Sequence, residues 1–234
     1  MDPRIVAVDG LHGTGETTAN MEEKMAETAT IYLVDDDLGT RQALSIALDL
    51  AGYRVTACDS AAAFLEVCPK GAEPGCVLLD LRMPGMNGLD LQHTMKESGC
   101  TLPVIFMSGD GDIRAGVTAV KEGAVDFLEK PFPIRVLVER IEEALALDST
   151  RRAEEDGRRQ IGERMNRLTA REREVMQLVV KGLSNKEIAK VLDISPRTVE
   201  NHRAQMMAKM QADNIAELCQ MAAQYSGTPG EIAP

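Results

Sequence analysis

The chain has 234 residues, a formal net charge of −11, 44% hydrophobic residues and no Trp. This length and apolar content suffice for two small domains with aliphatic cores, and no run of about 18 apolar residues occurs, so no membrane span is expected. The first 30 residues lack the basic and apolar regions of a signal peptide, and the five cysteines show no CxxC spacing. We therefore expect a cytoplasmic protein with reduced thiols.

The charge is divided unevenly along the chain. Residues 1–150 hold 12 Lys and Arg against 25 Asp and Glu, a net −13, whereas residues 151–234 hold 14 against 12, a net +2. The acidic total argues against a chain that binds nucleic acid over its whole length. Any DNA contact is therefore expected in the C-terminal part.

Residues 1–28 are polar and are predicted to form a flexible extension. Within them, the segment 10–18 follows a short apolar run and mimics a phosphate-binding loop. A working loop of this kind needs a Lys to reach the phosphates, and Glu16 occupies that place. We interpret the match as coincidental or vestigial.

Strand and helix signals then alternate up to residue 147. This alternation predicts an α/β fold, a doubly wound parallel sheet with helices on both faces, because crossover connections are right-handed. The predicted strands are 31–34, 53–58, 76–79, 103–107 and 125–129, and the predicted helices are 38–51, 60–67, a segment ending near 98, 112–122 and 134–147.

Polar side chains follow four of the predicted strands. Asp35 and Asp36 follow the first strand, and Asp80, Ser108 and Lys130 each follow a later one. In an open parallel sheet, ligands bind at the carboxyl ends of the strands. Three converging carboxylates repel one another unless a hard cation such as Mg²⁺ lies among them, and a Lys and a Ser suit an anion. This edge is therefore predicted to hold Mg²⁺ and a phosphoryl group.

The rest of the chain is predicted to be helical. Residues 148–166 are strongly charged and are interpreted as a linker that is helical in part. An all-α domain is predicted at 167–228, followed by a tail at 229–234. Its helix starts are marked by the capping boxes Thr169-x-x-Glu172 and Ser184-x-x-Glu187 and by Ser195-Pro196, with a last helix at about 214–224.

The first domain, at 29–147, resembles the receiver domain of two-component response regulators. The resemblance rests on four segments in the right order and spacing, which are Val34–Asp37, Leu79–Met86, Met107–Gly109 and Glu129–Phe132. It implies a flavodoxin-like (βα)5 fold with a cis peptide bond between Lys130 and Pro131.

The resemblance also implies a role for each site residue. Asp80 is the implied phosphorylation site, and Ser108 and Lys130 stabilise the phosphoryl group. Ser108 and Phe127 are the implied switch residues. The implied ligands of Mg²⁺ are Asp35, Asp36, Asp80 and the backbone carbonyl of Arg82.

The second domain resembles the four-helix helix-turn-helix of the LuxR, NarL and FixJ class. The resembling segments are Leu168–Val175, Gly182–Ala189 and Ile194–Arg203, and Met207–Met210 points to the FixJ branch. The resemblance implies that the helix at 196–210 reads the major groove of DNA.

Helical geometry divides the residues of this helix into two sets. At about 100° per residue, Val199, Met206 and Met210 share the core side, and the other side is polar. Glu can accept from cytosine, Asn and Gln can pair with adenine, and Lys and Arg can hold phosphates. The predicted DNA contacts are Lys186, Arg197, Thr198, Glu200, Asn201, Arg203, Ala204, Gln205 and Lys209.

The chain is accordingly identified as a response regulator and not as an enzyme. We expect a sensor histidine kinase to phosphorylate Asp80, a homodimer to form on phosphorylation, and promoter DNA and RNA polymerase to be the partners of an activator. A haloacid-dehalogenase-type enzyme would carry its nucleophile in an Asp-x-Asp pattern after the first strand, where Asp35-Asp36 stands instead. A phosphorylation-independent regulator tends to lose the acidic pair or the Lys, which this chain keeps.

Overall fold

The computed structural model describes residues 29–69, 74–109 and 113–226. The chain divides into two compact units, Met1–Thr150 and Arg151–Pro234. The predicted extension 1–28, with its loop-like segment, and the predicted tail 229–234 lie outside the described residues.

A parallel sheet forms the first unit. Its strands are β1 (Thr30–Val34), β2 (Arg54–Cys58), β3 (Gly75–Asp80), β4 (Val104–Ser108) and β5 (Asp126–Glu129). They lie in the order β2-β1-β3-β4-β5, and every neighbouring pair is parallel. The predicted doubly wound, flavodoxin-like sheet is thereby confirmed. Since β3 is the central strand, its carboxyl end lies in the middle of one sheet edge.

Helices cover both faces of this sheet. The helices of the first unit are α1 (Leu38–Leu50), α2 (Ala61–Val67), α3 (Gly88–Glu97), α4 (Ile113–Lys121) and the amino-terminal part of α5 (Ile134–Asn166). The turns after α1 and α4 are closed by Gly52 and Gly123, both at φ +91°, a conformation that L residues with side chains rarely adopt.

The alternation of side chains along each strand builds two separate cores. Tyr32, Val77 and Phe106 point to one face and pack with residues of α2, α3 and α4. Ile31 and Leu78 point to the other face and pack with residues of α1 and α5. Strands buried on both faces need continuous apolar runs, and this need explains the sequence signal that located them.

Helix α5 is longer than predicted. The sequence predicts a helix that ends at 147 and a charged, partly helical linker at 148–166, whereas the helix continues to Asn166. Ion pairs one turn apart support the charged stretch, at 3.4 Å between Arg158 and Glu154 and 3.0 Å between Arg159 and Asp156. Its final residues, including Ile161 and Met165, belong to the core of the second unit.

Four further helices complete the second unit. They are α6 (Ala170–Val180), α7 (Asn185–Leu192), α8 (Pro196–Met210) and α9 (Ile215–Ser226). The structure confirms both predicted capping boxes and the N-cap of Ser195 with Pro at the first helical position. Among the helices that the structure describes, none combines the length and apolar character that a membrane crossing requires.

Arginines tie the ends of these helices together. Arg164 donates to the carbonyl of Met210 at 3.2 Å, and Arg171 donates to the carbonyl of Leu192 at 2.6 Å. Both carbonyls lie in the last turn of a helix, where no intrahelical donor is available. A cation at this place also complements the helix dipole.

Candidate functional site

An acidic cluster lies where the strands of the sheet end. Asp35 directly follows β1, Asp80 is the last residue of β3, and both are almost fully buried, at 1% and 7% exposure. Lys130 follows β5, and its Nζ lies 2.6 Å from Asp35 Oδ2 and 2.6 Å from Asp80 Oδ1. One ammonium thus bridges two buried carboxylates that stand 45 residues apart in sequence. The cluster keeps a net negative charge.

Backbone groups fix the orientation of both carboxylates. Asp35 Oδ1 accepts from the N–H of Asp37 at 2.9 Å, and Asp80 Oδ2 accepts from the N–H of Arg82 at 2.8 Å. The N–H of Lys130 donates to the carbonyl of Ser108 at 2.6 Å, which ties the end of β5 to the end of β4. The peptide bond that follows, Lys130–Pro131, is cis. Main-chain N–H groups therefore orient both carboxylates, and the carboxylates in turn hold the ammonium of Lys130.

In this cluster, burial and the neighbouring charges shift the pKa of each group in opposite directions. Burial raises the pKa of Asp80, and the hydrogen bond and charge of Lys130 only partly counteract this. Burial likewise tends to lower the pKa of Lys130, but its hydrogen bonds to Asp35 and Asp80 outweigh burial and raise the pKa overall. An added cation would favour the ionised form of Asp80.

The donor types at this edge suit a hard cation, but they are not gathered around one point. Asp36 is exposed, unlike Asp35 and Asp80, and Lys130 occupies the space between the two buried acids. Within the described part of the chain, no three acidic, His or Cys side chains lie close enough together to hold a metal ion. The excess negative charge and the oxygen-only donors nevertheless fit Mg²⁺ chemically.

The close approach of α3 to the cluster requires a glycine. A Cβ on Gly88 would lie 2.5 Å from the carbonyl oxygen of Asp80 and 2.9 Å from the ring of Phe106. No side chain can be accommodated at that distance. The loop between Asp80 and α3 can therefore turn back directly over the end of β3, where Gly88 donates to the carbonyl of Leu81 at 3.0 Å.

The two predicted switch residues lie on neighbouring strands. Ser108 is 1% exposed at the end of β4, and Phe127 is half-buried in β5. A Cβ on Gly116 of α4 would lie 3.0 Å from the ring of Phe127, so the ring rests directly on the backbone of this helix. Sequence reasoning singled out Phe127 but missed Gly116, because nothing in the local pattern distinguishes a packing glycine inside a helix.

The second candidate site lies on α7 and α8. Val199, Met206 and Met210 are fully buried, which confirms the predicted core side of α8. The predicted DNA contacts Lys186, Arg197, Glu200, Asn201, Ala204 and Gln205 are exposed, and Thr198, Arg203 and Lys209 are half-buried.

An open groove of about 650 Å³ lies between the start of α7 and the middle of α8. Arg203 reaches into this region and donates from Nη1 to Asn185 Oδ1 at 2.6 Å. This bond holds the guanidinium of Arg203 on the side of the groove where Lys186, another lining residue, also lies. Asn185 was not predicted, because it precedes Arg203 by 18 residues and only the packing of two helices brings them together. The groove is lined by Ser184, Asn185, Lys186, Glu200 and Arg203.

Lys209, which is also among the predicted DNA contacts, forms an ion pair inside its own domain. Its Nζ lies 2.6 Å and 2.8 Å from the two carboxylate oxygens of Glu172, which is 1% exposed. Glu172 also accepts from the N–H of Thr169 as part of the capping box of α6. The ammonium of Lys209 is thus the counter-ion of a buried carboxylate, and its contact with a DNA phosphate stays a prediction.

Two family profiles match the chain. The profile described as response regulator receiver domain matches residues 31–142, and the profile described as bacterial regulatory proteins, luxR family, matches residues 166–222. Together they span the sheet domain and helices α6 to α9.

Curated proteins match over most of the chain. The transcriptional regulatory protein FixJ of Bradyrhizobium diazoefficiens is 44% identical over 198 residues, which cover 85% of this chain and 96% of FixJ. The tetrathionate response regulatory protein TtrR of Salmonella typhimurium is 42% identical over 190 residues, covering 81% of this chain and 90% of TtrR.

Solved structures match equally broadly. The response regulator StyR aligns with a TM-score of 0.76 and 38% identity, over 85% of this chain and all of the StyR chain. Full-length FixJ from B. japonicum aligns with a TM-score of 0.53 and 43% identity, over 85% of this chain and 98% of that one.

Proposed function

This chain belongs to the response regulators that join a receiver domain to a LuxR-type helix-turn-helix domain, the family that includes FixJ, and we propose that phosphorylation of Asp80 controls its binding to promoter DNA. It is a transcription regulator and not an enzyme. Such a protein works with a sensor kinase, and in this chain the proposed donor is a phosphohistidine of that kinase. The proposed place of action is the cytoplasm.

The bridge between Lys130, Asp80 and Asp35 carries the proposal. Asp80 lies at the centre of the sheet edge with its carboxylate oriented by Arg82 N–H and Lys130 Nζ. In the transfer, an oxygen of Asp80 bonds to phosphorus as the bond from phosphorus to the donor nitrogen breaks. The incoming group brings negative charge, and Lys130 is positioned to pair with it. Ser108, buried at the end of β4, is the proposed hydroxyl donor to the phosphoryl oxygens.

Receiver domains generally bind Mg²⁺ at the phosphorylation site. In this chain we propose Asp35, Asp36, Asp80 and the carbonyl of Arg82 as its ligands. The ion would supply positive charge that keeps Asp80 ionised against the effect of burial and neutralises phosphoryl oxygens. In this structure the ammonium of Lys130 lies between the carboxylates of Asp35 and Asp80. With the ion bound, this ammonium would pair with the phosphoryl group.

Substitution of Asp80 by Asn tests the assignment. The amide keeps the shape of the side chain but is no anionic nucleophile, so acetyl phosphate with Mg²⁺ should phosphorylate the parent protein and leave Asp80→Asn unmodified. Intact mass spectrometry reports the added phosphoryl group. Asp49→Asn is a matched control, because Asp49 is an exposed acid on α1.

Two results of this experiment would count against the proposal. One is a phosphoryl group that persists in Asp80→Asn, since another residue would then be the acceptor. The other is a mass gain that survives removal of Mg²⁺ by a chelator, since the cluster would then work with Lys130 alone.

For the output domain, we propose that α8 enters the major groove as the reading helix of an activator. The polar exposed face of α8 and the groove that holds Arg203 beside Lys186 support this reading. Asn201 is the proposed base reader, with Arg197, Thr198, Glu200, Ala204 and Gln205 along the same surface. RNA polymerase is the proposed downstream partner.

Substitution of Asn201 by Ala tests the orientation of α8. A bidentate contact to adenine contributes about 1–3 kcal/mol, so Asn201→Ala should weaken a selected site and leave a scrambled site unchanged. Lys186→Ala should weaken both sites alike, because a phosphate contact carries no sequence information. Titrations at several salt concentrations measure the two affinities. An unchanged ratio in Asn201→Ala would mean that another residue reads the bases.

A further inference from the structure

Two half-buried cysteines of the receiver domain lie in direct contact. Cys68 follows α2 and Cys100 lies between α3 and β4, and their sulfur atoms are 3.0 Å apart. Both pack against the apolar core on the face of the sheet that α2, α3 and α4 cover. The sequence gives no sign of this pair, because the two residues are 32 positions apart.

We propose that Cys68 and Cys100 form a modification site, which a small-molecule disulfide of the glutathione class converts into an intramolecular disulfide bond. A disulfide has a sulfur–sulfur bond of about 2.05 Å, so the two sulfurs must approach by only about 1 Å. The other cysteines are unsuited to this reaction. Cys58 and Cys76 are buried, and Cys219 belongs to the second unit.

The contact between the thiols sets the order of the reaction. Cys68 donates its S–H to the sulfur of Cys100, and burial together with this hydrogen bond raises the pKa of Cys68 to about 12. Cys68 therefore keeps its proton at neutral pH, and we assign the first attack to Cys100, whose sulfur accepts the hydrogen bond from Cys68. A thiolate is the nucleophile in thiol–disulfide exchange.

The exchange balances in two steps. Cys100 bonds to one sulfur of the small disulfide, whose sulfur–sulfur bond breaks and releases the first thiolate. Cys68 then loses its proton and bonds to the sulfur of Cys100, which releases the second thiolate. Two protein thiols are oxidised, one small disulfide is reduced to two thiols, and the two protons pass to these products. Excess small-molecule thiol reverses both steps.

The crosslink closes a loop that contains the whole of β3 and α3. This loop includes Asp80, although both cysteines lie near the amino ends of β3 and β4, at the sheet edge away from the acidic cluster. A loop of this length restricts the unfolded chain and should raise the melting temperature of the receiver domain by roughly 5–15 °C. The bond thus stabilises the phosphorylation domain without occupying its site.

The test uses the full-length protein under native conditions. After incubation with oxidised glutathione, the remaining thiols are alkylated in denaturant and the intact mass is measured. We expect two of the five cysteines to escape alkylation, no bound glutathione, and a Cys68–Cys100 peptide in a non-reducing digest. Five alkylated cysteines, or a disulfide that joins other residues, would overturn the proposal.

Serine variants separate the two steps. In Cys68→Ser the second step cannot occur, so glutathione should remain attached to Cys100. In Cys100→Ser neither adduct nor disulfide should form at the pair. Cys219→Ser is the matched control, because Cys219 is another half-buried thiol and the disulfide should form as in the parent. A glutathione adduct on Cys68 in Cys100→Ser would refute the assigned order of attack.

Discussion

At the scale of single residues, the two lysines predicted to hold phosphates differ in their contacts. Lys209 neutralises the buried carboxylate of Glu172, whereas Lys186 is exposed at the rim of the groove. Charge and helix position alone made the two residues equivalent. Burial of Glu172 distinguishes them, because a buried charge that loses its partner is costly.

Substitution by Met should therefore lower mainly the stability of the domain at Lys209 and mainly the affinity for DNA at Lys186. Lys209→Met leaves Glu172 buried and without its ammonium partner, and should destabilise the helix-turn-helix domain by roughly 1–3 kcal/mol. Lys186→Met should change stability by less than about 0.5 kcal/mol but weaken DNA binding. Denaturant titration and DNA titration of both variants measure these effects. A stable Lys209→Met protein with weak DNA binding would show that Lys209 acts mainly as a phosphate contact.

The same ion pair predicts a response to acid. Hydrogen bonds from Lys209 and from the N–H of Thr169 hold the pKa of Glu172 below its usual 4.5. A carboxylate whose pKa is lowered by folding stabilises the fold above the unfolded pKa, and this contribution is lost as the pH falls through the folded pKa. The helices around Glu172 should therefore weaken as the pH falls below about 4.5.

Glu172→Gln should remove this part of the acid response. Hydrogen-exchange protection of α6 and α8 should be higher in the parent than in the variant at neutral pH. The difference should shrink at roughly pH 4 and below, because protonated Glu172 also lacks its charge. A difference that stays constant over this range would show that Glu172 acts through its shape and not through its charge.

At the scale of helices and strands, helix α5 offers a matched pair of glycines. A Cβ on Gly157 would meet nothing within 4 Å, whereas a Cβ on Gly162 would lie 3.2 Å from the ring of Tyr225. Gly157→Ala should stabilise the helix by about 0.5–1 kcal/mol through backbone entropy. Gly162→Ala should gain less or destabilise. Equal changes in melting temperature for the two variants would show that the contact with Tyr225 has no energetic weight.

We propose that a glycine of α4, Gly116, affects the switch through its contact with the ring of Phe127. Gly116→Ala should displace the ring of Phe127 and impair dimer formation, which we propose occurs through α4, β5 and α5 when the site is loaded with beryllofluoride. Acetyl phosphate should still modify Asp80. Sedimentation measures the dimer, and the smaller side chain of Phe127→Leu should restore part of it in the double variant. Full dimer formation in Gly116→Ala alone would contradict a role for this ring.

The elements differ in how far their sequence determines them. Strands β1, β3 and β4 are buried along their length and follow from apolar runs, whereas the partly exposed β2 follows from an alternating pattern. The site residues Asp35, Asp80 and Lys130 follow from where the predicted strands end. The predicted end of α5 at residue 147 was wrong. Residues 148–166 lack an apolar stripe that would indicate a helix, and ion pairs along the surface support the helix there. The contacts of Asn185, Glu172 and Cys100 were missed, since each depends on a partner 18 to 37 residues away.

At the scale of the whole molecule, the charge of the two parts predicts how DNA binding depends on the receiver domain. Residues 1–150 carry −13 and repel the phosphate backbone, whereas 151–234 carry +2. The fragment 151–234 should bind a selected DNA site more tightly than the unphosphorylated whole chain. The difference should narrow as salt rises, because salt screens the repulsion.

Titrations of both proteins against the same duplex at several salt concentrations measure this effect. The beryllofluoride-loaded whole chain is the control for the active state, and it should approach the affinity of the fragment. Equal affinities for the fragment and the unloaded chain at low salt would show that the acidic receiver does not hinder binding.

The ion-pair bridge from Lys130 to Asp35 and Asp80 also has a consequence for the nascent chain during its synthesis. Asp35 precedes Lys130 by 95 residues, whereas the hydrogen bond between Arg164 and Met210 in the helix-turn-helix unit spans 46 residues. A ribosome makes roughly 5–20 residues each second, so the carboxylates of Asp35 and Asp80 wait several seconds for their ammonium. Until then, their repulsion opposes closure of the sheet over β1 and β3. If synthesis stalls before residue 130, the receiver domain should therefore be accessible to proteases. Once synthesis resumes, the domain should fold and become resistant to them.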